Sequence, residues 1–187
     1  GGGFGGKNGM LLGPLCILLA RKAGRPVRMV LTREEDLRAA RPAPPTTITV
    51  KLGATREGLL TAAEVTLIYE AGAFAGPLPP SGFVTGLSPY RLSNLKVNGY
   101  VVVVNKPPVG ALRAPGAPQA AFAVECQIDR MAEALGIDPL QFRLKNIVAQ
   151  GDRAPNDLPF PRIGFREVLE KVAQHPAWVR PLEGKHR

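Results

Sequence analysis

The residues best suited to chemistry open the chain, in a loop at positions 1–6 that reads Gly-Gly-Gly-Phe-Gly-Gly. Glycines let a ligand approach the main chain, and a helix that follows such a loop presents N–H groups that favour an anion. The glycine spacing also matches a dinucleotide-binding fingerprint, whose preceding strand would lie before the first residue given, and the first acidic residue after the loop is Glu34. Asn8 stands where a phosphate-binding P-loop requires Ser or Thr. By spacing alone, a ligand-binding loop and a purely structural loop both remain open.

A second stretch, at positions 110–119, reads Gly-Ala-Leu-Arg-Ala-Pro-Gly-Ala-Pro-Gln. Arg113 lies there in a turn rich in Gly and Pro, just before a predicted helix. Arginine supplies a permanent cation with a rigid fork of donors, so Arg113 could face an anion or polarise a bound oxygen. The alternative is a surface arginine that lays its apolar stem along the protein.

Composition places the chain among ordinary globular proteins, since 45% of its 187 residues are hydrophobic and 21% are charged. Its net charge is +9, but the basic residues are scattered and no aromatic platform is interleaved with them. This pattern argues against nucleic-acid binding and suits a phosphate-bearing cofactor or an acidic partner subunit better. No stretch is long and apolar enough to span a bilayer.

The sequence contains two cysteines, Cys16 and Cys126, each in an apolar helical pattern that predicts a buried side chain. They are too few for the four thiolates of an iron–sulfur cluster, and they form no disulfide framework. Such usage is typical of a reducing compartment, so we expect a cytoplasmic protein. His175 and His186 have no companion at the spacing of metal ligands.

The hydrophobic pattern predicts a mixture of helices and strands. Helices are expected at 8–23, 118–135, 139–146 and 165–174, and strands at 27–31, 46–54, 59–70 and 94–105. The first helix is apolar on more than one face and is expected to be buried. Positions 101–104, in the last strand, are expected to be covered on both faces. A turn around Gly58 makes a hairpin, so the predicted class is α+β, with antiparallel strands and a hairpin flanked by helices.

Several motifs together resemble one family, the molybdenum hydroxylases, which include xanthine dehydrogenase, aldehyde oxidase and molybdenum carbon monoxide dehydrogenase. Positions 1–7 resemble the glycine–phenylalanine segment that the family places beside its metal, and positions 112–119 resemble its later Arg-Gly-rich segment. Further matches in order and spacing lie at 24–28, 32–36, 105–108 and 138–146. The resemblance covers nearly all of residues 1–187. It implies part of a molybdopterin-binding domain, with the N- and C-terminal parts of the subunit missing.

The resemblance implies an enzyme that hydroxylates a small carbon compound with oxygen from water. Its cofactor would be a molybdenum–molybdopterin, and whether this carries an attached nucleotide stays open. Electrons would pass to iron–sulfur and FAD centres on other domains or subunits of a hetero-oligomer. By the same resemblance, the cofactor would contact Gly3, Phe4, Gly5, Arg113 and Ala114, with the backbone of Phe4 and of Arg113 nearest the metal.

The resemblance assigns no catalytic residue to this chain. The family's catalytic carboxylate lies further along and its oxygen-contacting glutamine lies before the loop, so the isolated chain is expected to be inactive. Glu125 and Asp129 lie in an apolar helical pattern and are not assigned that role.

The candidate substrate pocket contains Asn8, Ser81 and Pro115, which depart from the purine-oxidising members. Those members have a glutamate at the first position and a ring-stacking phenylalanine at the third. Ser81 replaces their substrate-clamping arginine if the spacing back from Tyr90 is unbroken. We therefore expect an aldehyde, an aromatic N-heterocycle or another small carbon compound. Two alternatives remain, a Rossmann-type nucleotide-binding enzyme, which requires parallel βαβ units, and a non-catalytic binding remnant.

Overall fold

A three-stranded sheet organises residues 3–6, 9–74 and 81–179, the part of the chain that the computed structural model describes. The strands lie in the order β1 (Thr46–Ala54), β2 (Leu60–Gly72) and β3 (Asn94–Val103). β1 and β2 pair antiparallel around a turn in which Gly58 has a φ of 81°. The predicted hairpin and the α+β class are confirmed.

The prediction of antiparallel strands is wrong for the third strand. β3 pairs with β2 in parallel, and Val65 lies opposite Val97. Parallel neighbours require a crossover of about a dozen residues or more, which the long connection at 73–93 provides. A short helix, α3 (Ser81–Thr85), lies in that connection. The sheet is therefore mixed, although the strands do not form the repeated βαβ units of a Rossmann fold.

Two of the remaining helices precede the sheet in sequence and four follow it. They are α1 (Gly13–Ala23), α2 (Arg33–Ala39), α4 (Ala117–Leu135), α5 (Pro139–Asn146), α6 (Phe165–Ala173) and α7 (Pro176–Val179). Two of these helices have side-chain N-caps. Thr32 and Glu35 form a capping box at α2, and the Asp138 side chain accepts from the main-chain N–H groups of Leu140 and Gln141 at α5.

The core lies between α4 and the sheet. Val124 and Ile128 are fully buried on the predicted apolar stripe of α4, and they belong to one cluster with Leu67 of β2 and Phe142 of α5. Burying each such side chain contributes roughly 1.5–3 kcal/mol. This packing holds the start of α4 against the end of β2, where the second candidate segment lies.

The prediction for α1 is wrong in two respects. The helix begins at Gly13 rather than at position 8, because Pro14 is favoured in the first turn and not in a helix interior. None of its residues is buried, and Ile17 and Leu18 are 62% and 61% exposed. Periodicity reports which face is apolar, but burial also requires a surface to pack against, and the described residues supply none.

Three other local predictions are corrected. Positions 27–31 do not form a strand, because no neighbouring strand among the described residues pairs with them. β3 ends at Val103, and the described residues do not cover both faces of its end, where Val102 and Val103 are 38% and 59% exposed. Cys126 is exposed and Cys16 only partly buried.

Within the described part of the chain, no helix is both long and apolar enough to cross a membrane.

Candidate functional site

The glycine loop and the Arg113 turn meet in the folded chain, although they are far apart in sequence. The main-chain N–H of Arg113 donates to the carbonyl oxygen of Phe4 at 2.7 Å. The guanidinium carbon of Arg113 lies 5.8 Å from the centroid of the Phe4 ring, within the range of a cation–π contact. The predicted proximity of these two residues is confirmed.

Both segments hold an ordinary L residue in the left-handed region of backbone conformation. Phe4 has a φ of 49° and Ala114 a φ of 58°. Only Asp157 shares this property among the described non-glycine residues. Such a conformation costs on the order of 1–3 kcal/mol and persists only where the surroundings enforce it, often at binding sites. Two of the three strained positions therefore coincide with the two candidate segments.

Gly5 permits the close approach of the two segments. Its φ is 90°, and a Cβ atom added there would lie 2.1 Å from the carbonyl oxygen of Ala111. That distance is far below any real contact, so a side chain at this position would push the main chain at 110–112 away from the loop. The glycine is therefore required for the contact between the two protein segments.

The contacting segments offer main-chain donors and a cation. The N–H groups of Phe4, Gly5 and Ala114 make no hydrogen bond with other described residues. Phe4, Arg113 and Ala114 are exposed. Unpaired N–H groups beside a guanidinium suit an anionic group that is rich in oxygen. This donor set fits the phosphate and oxo groups of a molybdopterin cofactor. No cluster of three His, Cys, Asp or Glu side chains that could hold a metal ion occurs among the described residues.

The two segments differ in how they connect to helices. The turn leads directly into α4, whose N-cap is Gly116. The glycine loop does not lead directly into a helix, because α1 begins only at Gly13. The expectation that the first loop places a helix N-terminus at the site is therefore wrong for the described residues, and the main chain of the loop itself provides the donors.

A cleft of about 250 Å³ lies on one side of the glycine loop. Its walls come from the loop and the residues at 9–11, from the end of α2 and the two residues after it, and from the segment before Arg113: Gly5, Gly6, Gly9, Met10, Leu11, Asp36, Ala39, Ala40, Arg41, Gly110 and Ala111. Gly5 thus borders both the contact with Ala111 and an open space.

Of the three candidate substrate-pocket residues, Ser81 and Pro115 are in contact. The Ser81 hydroxyl donates to the carbonyl oxygen of Pro115. Asn8 lies outside the described residues. Tyr69, which sequence reasoning missed, donates its hydroxyl to the next carbonyl, that of Gly116, at 3.0 Å. Strand alternation could have indicated that Tyr69 faces the core, but not which carbonyl it would reach.

The sequence pattern that defines the molybdopterin cofactor-binding domain matches residues 1–147. The chain belongs to the molybdopterin cofactor-binding domain family. The predicted resemblance to molybdenum hydroxylases is confirmed, and the Rossmann-type alternative is not favoured.

Individual relatives of this cofactor-binding domain support the assignment. The chain is 38% identical over 180 residues to a probable xanthine dehydrogenase subunit of Bacillus subtilis, covering 94% of this chain and 24% of that protein. It is 35% identical over 187 residues to the nicotinate dehydrogenase large molybdopterin subunit of Eubacterium barkeri, covering 98% and 44%. The chain thus spans less than half the length of either relative.

Solved structures give the same result for the fold. The aldehyde oxidoreductase of Desulfovibrio gigas matches with a TM-score of 0.83 and 28% identity, over 93% of this chain and 20% of that one. Quinoline 2-oxidoreductase of Pseudomonas putida matches with a TM-score of 0.83 and 27% identity, over 93% and 23%. The fold of this molybdopterin-binding domain is therefore that of a known part of larger enzymes.

A charged cluster elsewhere in the domain involves the two helix-face carboxylates that were not assigned a catalytic role. The Tyr90 hydroxyl donates to both Glu125 oxygens at 2.8 Å, while Arg143 donates to Glu125 at 2.7 Å and to Asp129 at 2.6 Å. Burial, together with the charge of Glu125, raises the pKa of Tyr90 well above its usual 10.0, so its hydroxyl stays protonated. The cluster links α4 and α5 to the segment at Tyr90, and both carboxylates are engaged in that link.

Proposed function

We propose that this chain supplies two of the main-chain segments that hold a molybdopterin cofactor in a larger hydroxylating oxidoreductase. The observation that carries the proposal is the contact between Phe4 and Arg113, with left-handed backbone at Phe4 and at Ala114. When bound, the molybdenum of the cofactor would supply the redox chemistry that places a water-derived oxygen on a carbon centre.

The residues of the chain would bind and orient that cofactor rather than react themselves. The N–H groups of Phe4, Gly5 and Ala114, which no other described residue engages, would donate to its anionic oxygens, and the backbone of Phe4 and Arg113 would lie nearest the metal. Donors held by a strained, well-braced backbone need little reorganisation when a ligand binds. Arg113 adds a permanent positive charge, and its stacking on the Phe4 ring limits the directions in which that charge can move.

For the substrate we propose a small aldehyde or an aromatic N-heterocycle rather than a purine. None of the pocket candidates Asn8, Ser81 and Pro115 offers a carboxylate or a guanidinium for a purine ring. The names of similar proteins refer to different substrates, namely xanthine, nicotinate, quinoline and aldehydes. Because these names do not select one substrate, the proposal rests on the chemistry of the three side chains.

We also propose that electrons leave through iron–sulfur and FAD centres on other domains or subunits of a cytoplasmic hetero-oligomer. With Cys16 and Cys126 alone, this chain cannot ligate a four-thiolate cluster. Iron and flavin analysis of the purified native complex tests this, and a complex without iron would rule it out.

The binding proposal is tested by Gly5→Val in the full-length enzyme. A valine there would force the glycine loop and the segment at Ala111 apart, because its Cβ would overlap the Ala111 carbonyl. We expect the molybdenum content to fall on the order of tenfold, as for other residues that orient a metal site, with a smaller effect on thermal stability.

The matched control is Gly151→Val. Gly151 has nearly the same φ, 88°, but nothing lies within 4 Å of an added Cβ. Both variants therefore bear the backbone strain of a branched residue at positive φ, and only Gly5→Val also separates the two segments. Normal molybdenum content in Gly5→Val with a stability loss equal to that of the control would refute the binding role.

A further inference from the structure

We infer that Tyr69 and Ser81 are positioning residues that hold the turn at 113–116 in the geometry required for cofactor binding. The inference rests on the proposed function and extends it to two side chains outside the two binding segments. Their hydroxyls donate to successive carbonyls of the turn, those of Gly116 and Pro115.

Tyr69 supports the turn from the core. It lies on β2 with 1% of its surface exposed, and its ring packs edge-on against Phe83 with centroids 5.8 Å apart. This packing fixes the direction of the hydroxyl that donates to Gly116 at 3.0 Å. Burial raises the pKa of Tyr69, so the hydroxyl remains a donor at neutral pH.

Ser81 supports the turn from a second element, the start of α3. The next residue, Gly82, has no space for a side chain, because an added Cβ would lie 2.2 Å from the Tyr69 hydroxyl and 2.8 Å from the Gly116 carbonyl oxygen. α3 is therefore packed directly on the turn and on Tyr69. The Ser81 hydroxyl is engaged with protein, which makes Ser81 a support for the turn more than a substrate contact.

The physical need for this support comes from Ala114. Its left-handed backbone is unfavourable for an L residue and requires the surrounding structure to maintain it. Within the turn, the Ala117 N–H donates back to the Ala114 carbonyl at 3.0 Å. The Ser81 and Tyr69 hydroxyls hold the carbonyls of the Pro115–Gly116 and Gly116–Ala117 peptide units, and the Ala117 N–H holds the carbonyl of the Ala114–Pro115 unit. With these three successive units fixed, the turn keeps the Ala114 N–H and the Arg113 main chain in one orientation.

The test compares matched pairs in the full-length holoenzyme. Tyr69→Phe and Ser81→Ala each remove one supporting hydroxyl, whereas Ser81→Thr keeps it. The controls are Tyr90→Phe, which removes the hydroxyl of another buried tyrosine, and Ser88→Ala, since the Ser88 hydroxyl donates to Thr85 instead. Three quantities are measured: molybdenum per subunit after dialysis, the Mo(V) electron paramagnetic resonance spectrum of dithionite-reduced enzyme, and the melting temperature.

We expect Tyr69→Phe and Ser81→Ala to change the Mo(V) spectrum and to lower retained molybdenum on the order of tenfold. Ser81→Thr should restore both, and the two controls should affect only the melting temperature. If the purified wild-type enzyme contains no molybdenum, the proposed function itself is refuted. A loaded wild type whose Tyr69→Phe and Ser81→Ala variants match the controls would overturn the positioning role alone. If Tyr69→Phe does not fold, the comparison of Ser81→Ala with Ser81→Thr decides.

Discussion

The backbone conformation of some single residues in this domain is not the one that their residue type predicts. Phe4 and Ala114 adopt left-handed backbone, which sequence reasoning would assign to glycine. At Gly5 the glycine does serve a close approach, but the nearest group is the Ala111 carbonyl of the same protein. The conformation of these residues therefore depends on the meeting of two distant segments.

A buried polar residue offers a direct test at this scale. Asn146 is 3% exposed, and its side chain accepts from the Leu60 N–H at 2.8 Å and donates to the carbonyls of Gly58 and Phe142. Asn146→Leu would leave buried main-chain groups of the hairpin without partners. We expect a loss of roughly 2–4 kcal/mol in the free energy of unfolding, measured by urea denaturation.

The control for that prediction is Asn105→Leu, at an exposed asparagine outside the helices and strands. It should change the unfolding free energy by no more than about 0.5 kcal/mol. Equal losses in the two variants would show that the Asn146 contacts do not bridge the hairpin and α5.

At the scale of whole elements, α4 and α1 differ in what covers them. α4 presents one apolar stripe, which the sheet buries, so its pattern predicted its role correctly. α1 is apolar on more than one face and yet has no buried residue among those the structure describes. The single apolar stripe of α4 thus indicated a helix that packs against the sheet. The apolar residues on several faces of α1 did not indicate burial within the described residues.

Two isoleucines provide the matched test of this contrast. Ile128→Ala on α4 removes a fully buried side chain and should cost roughly 2–5 kcal/mol of unfolding free energy, because it leaves a cavity. Ile17→Ala on α1 removes one that is 62% exposed and should cost no more than about 0.5 kcal/mol. Comparable losses in denaturation experiments on this chain would mean that α1 is packed in solution.

At the scale of the molecule, the chain contains two proposed binding segments and no assigned catalytic residue. The resemblance implies that the catalytic carboxylate lies outside these residues, and both Glu125 and Asp129 are engaged with Arg143. The chain spans 24% of the Bacillus relative and 44% of the Eubacterium relative. Its chemistry therefore depends on groups that these residues do not supply.

We accordingly expect no hydroxylase turnover from residues 1–187 alone. The measurement is aldehyde or N-heterocycle oxidation with an artificial electron acceptor, in the presence of molybdenum cofactor released from another enzyme. The full-length enzyme serves as the positive control. Detectable turnover by the isolated chain would show that the reaction needs no group outside it.

The sequence by itself determined most of the local elements, the α+β class and the family. The capping box at Thr32, the cap at Asp138, the stripe of α4 and the hairpin at Gly58 all depend on residues close in the chain, so their patterns are readable. The ordered motifs likewise identified the molybdopterin cofactor-binding domain before any contact was known.

Only the tertiary structure decided which distant groups meet. It placed β3 parallel to β2, left α1 uncovered, and directed the hydroxyls of Tyr69 and Ser81 to one turn. None of these outcomes follows from spacing, because each depends on which surface or carbonyl lies opposite after the chain has crossed the sheet. A local pattern specifies what a residue can contact, and long-range packing selects the partner.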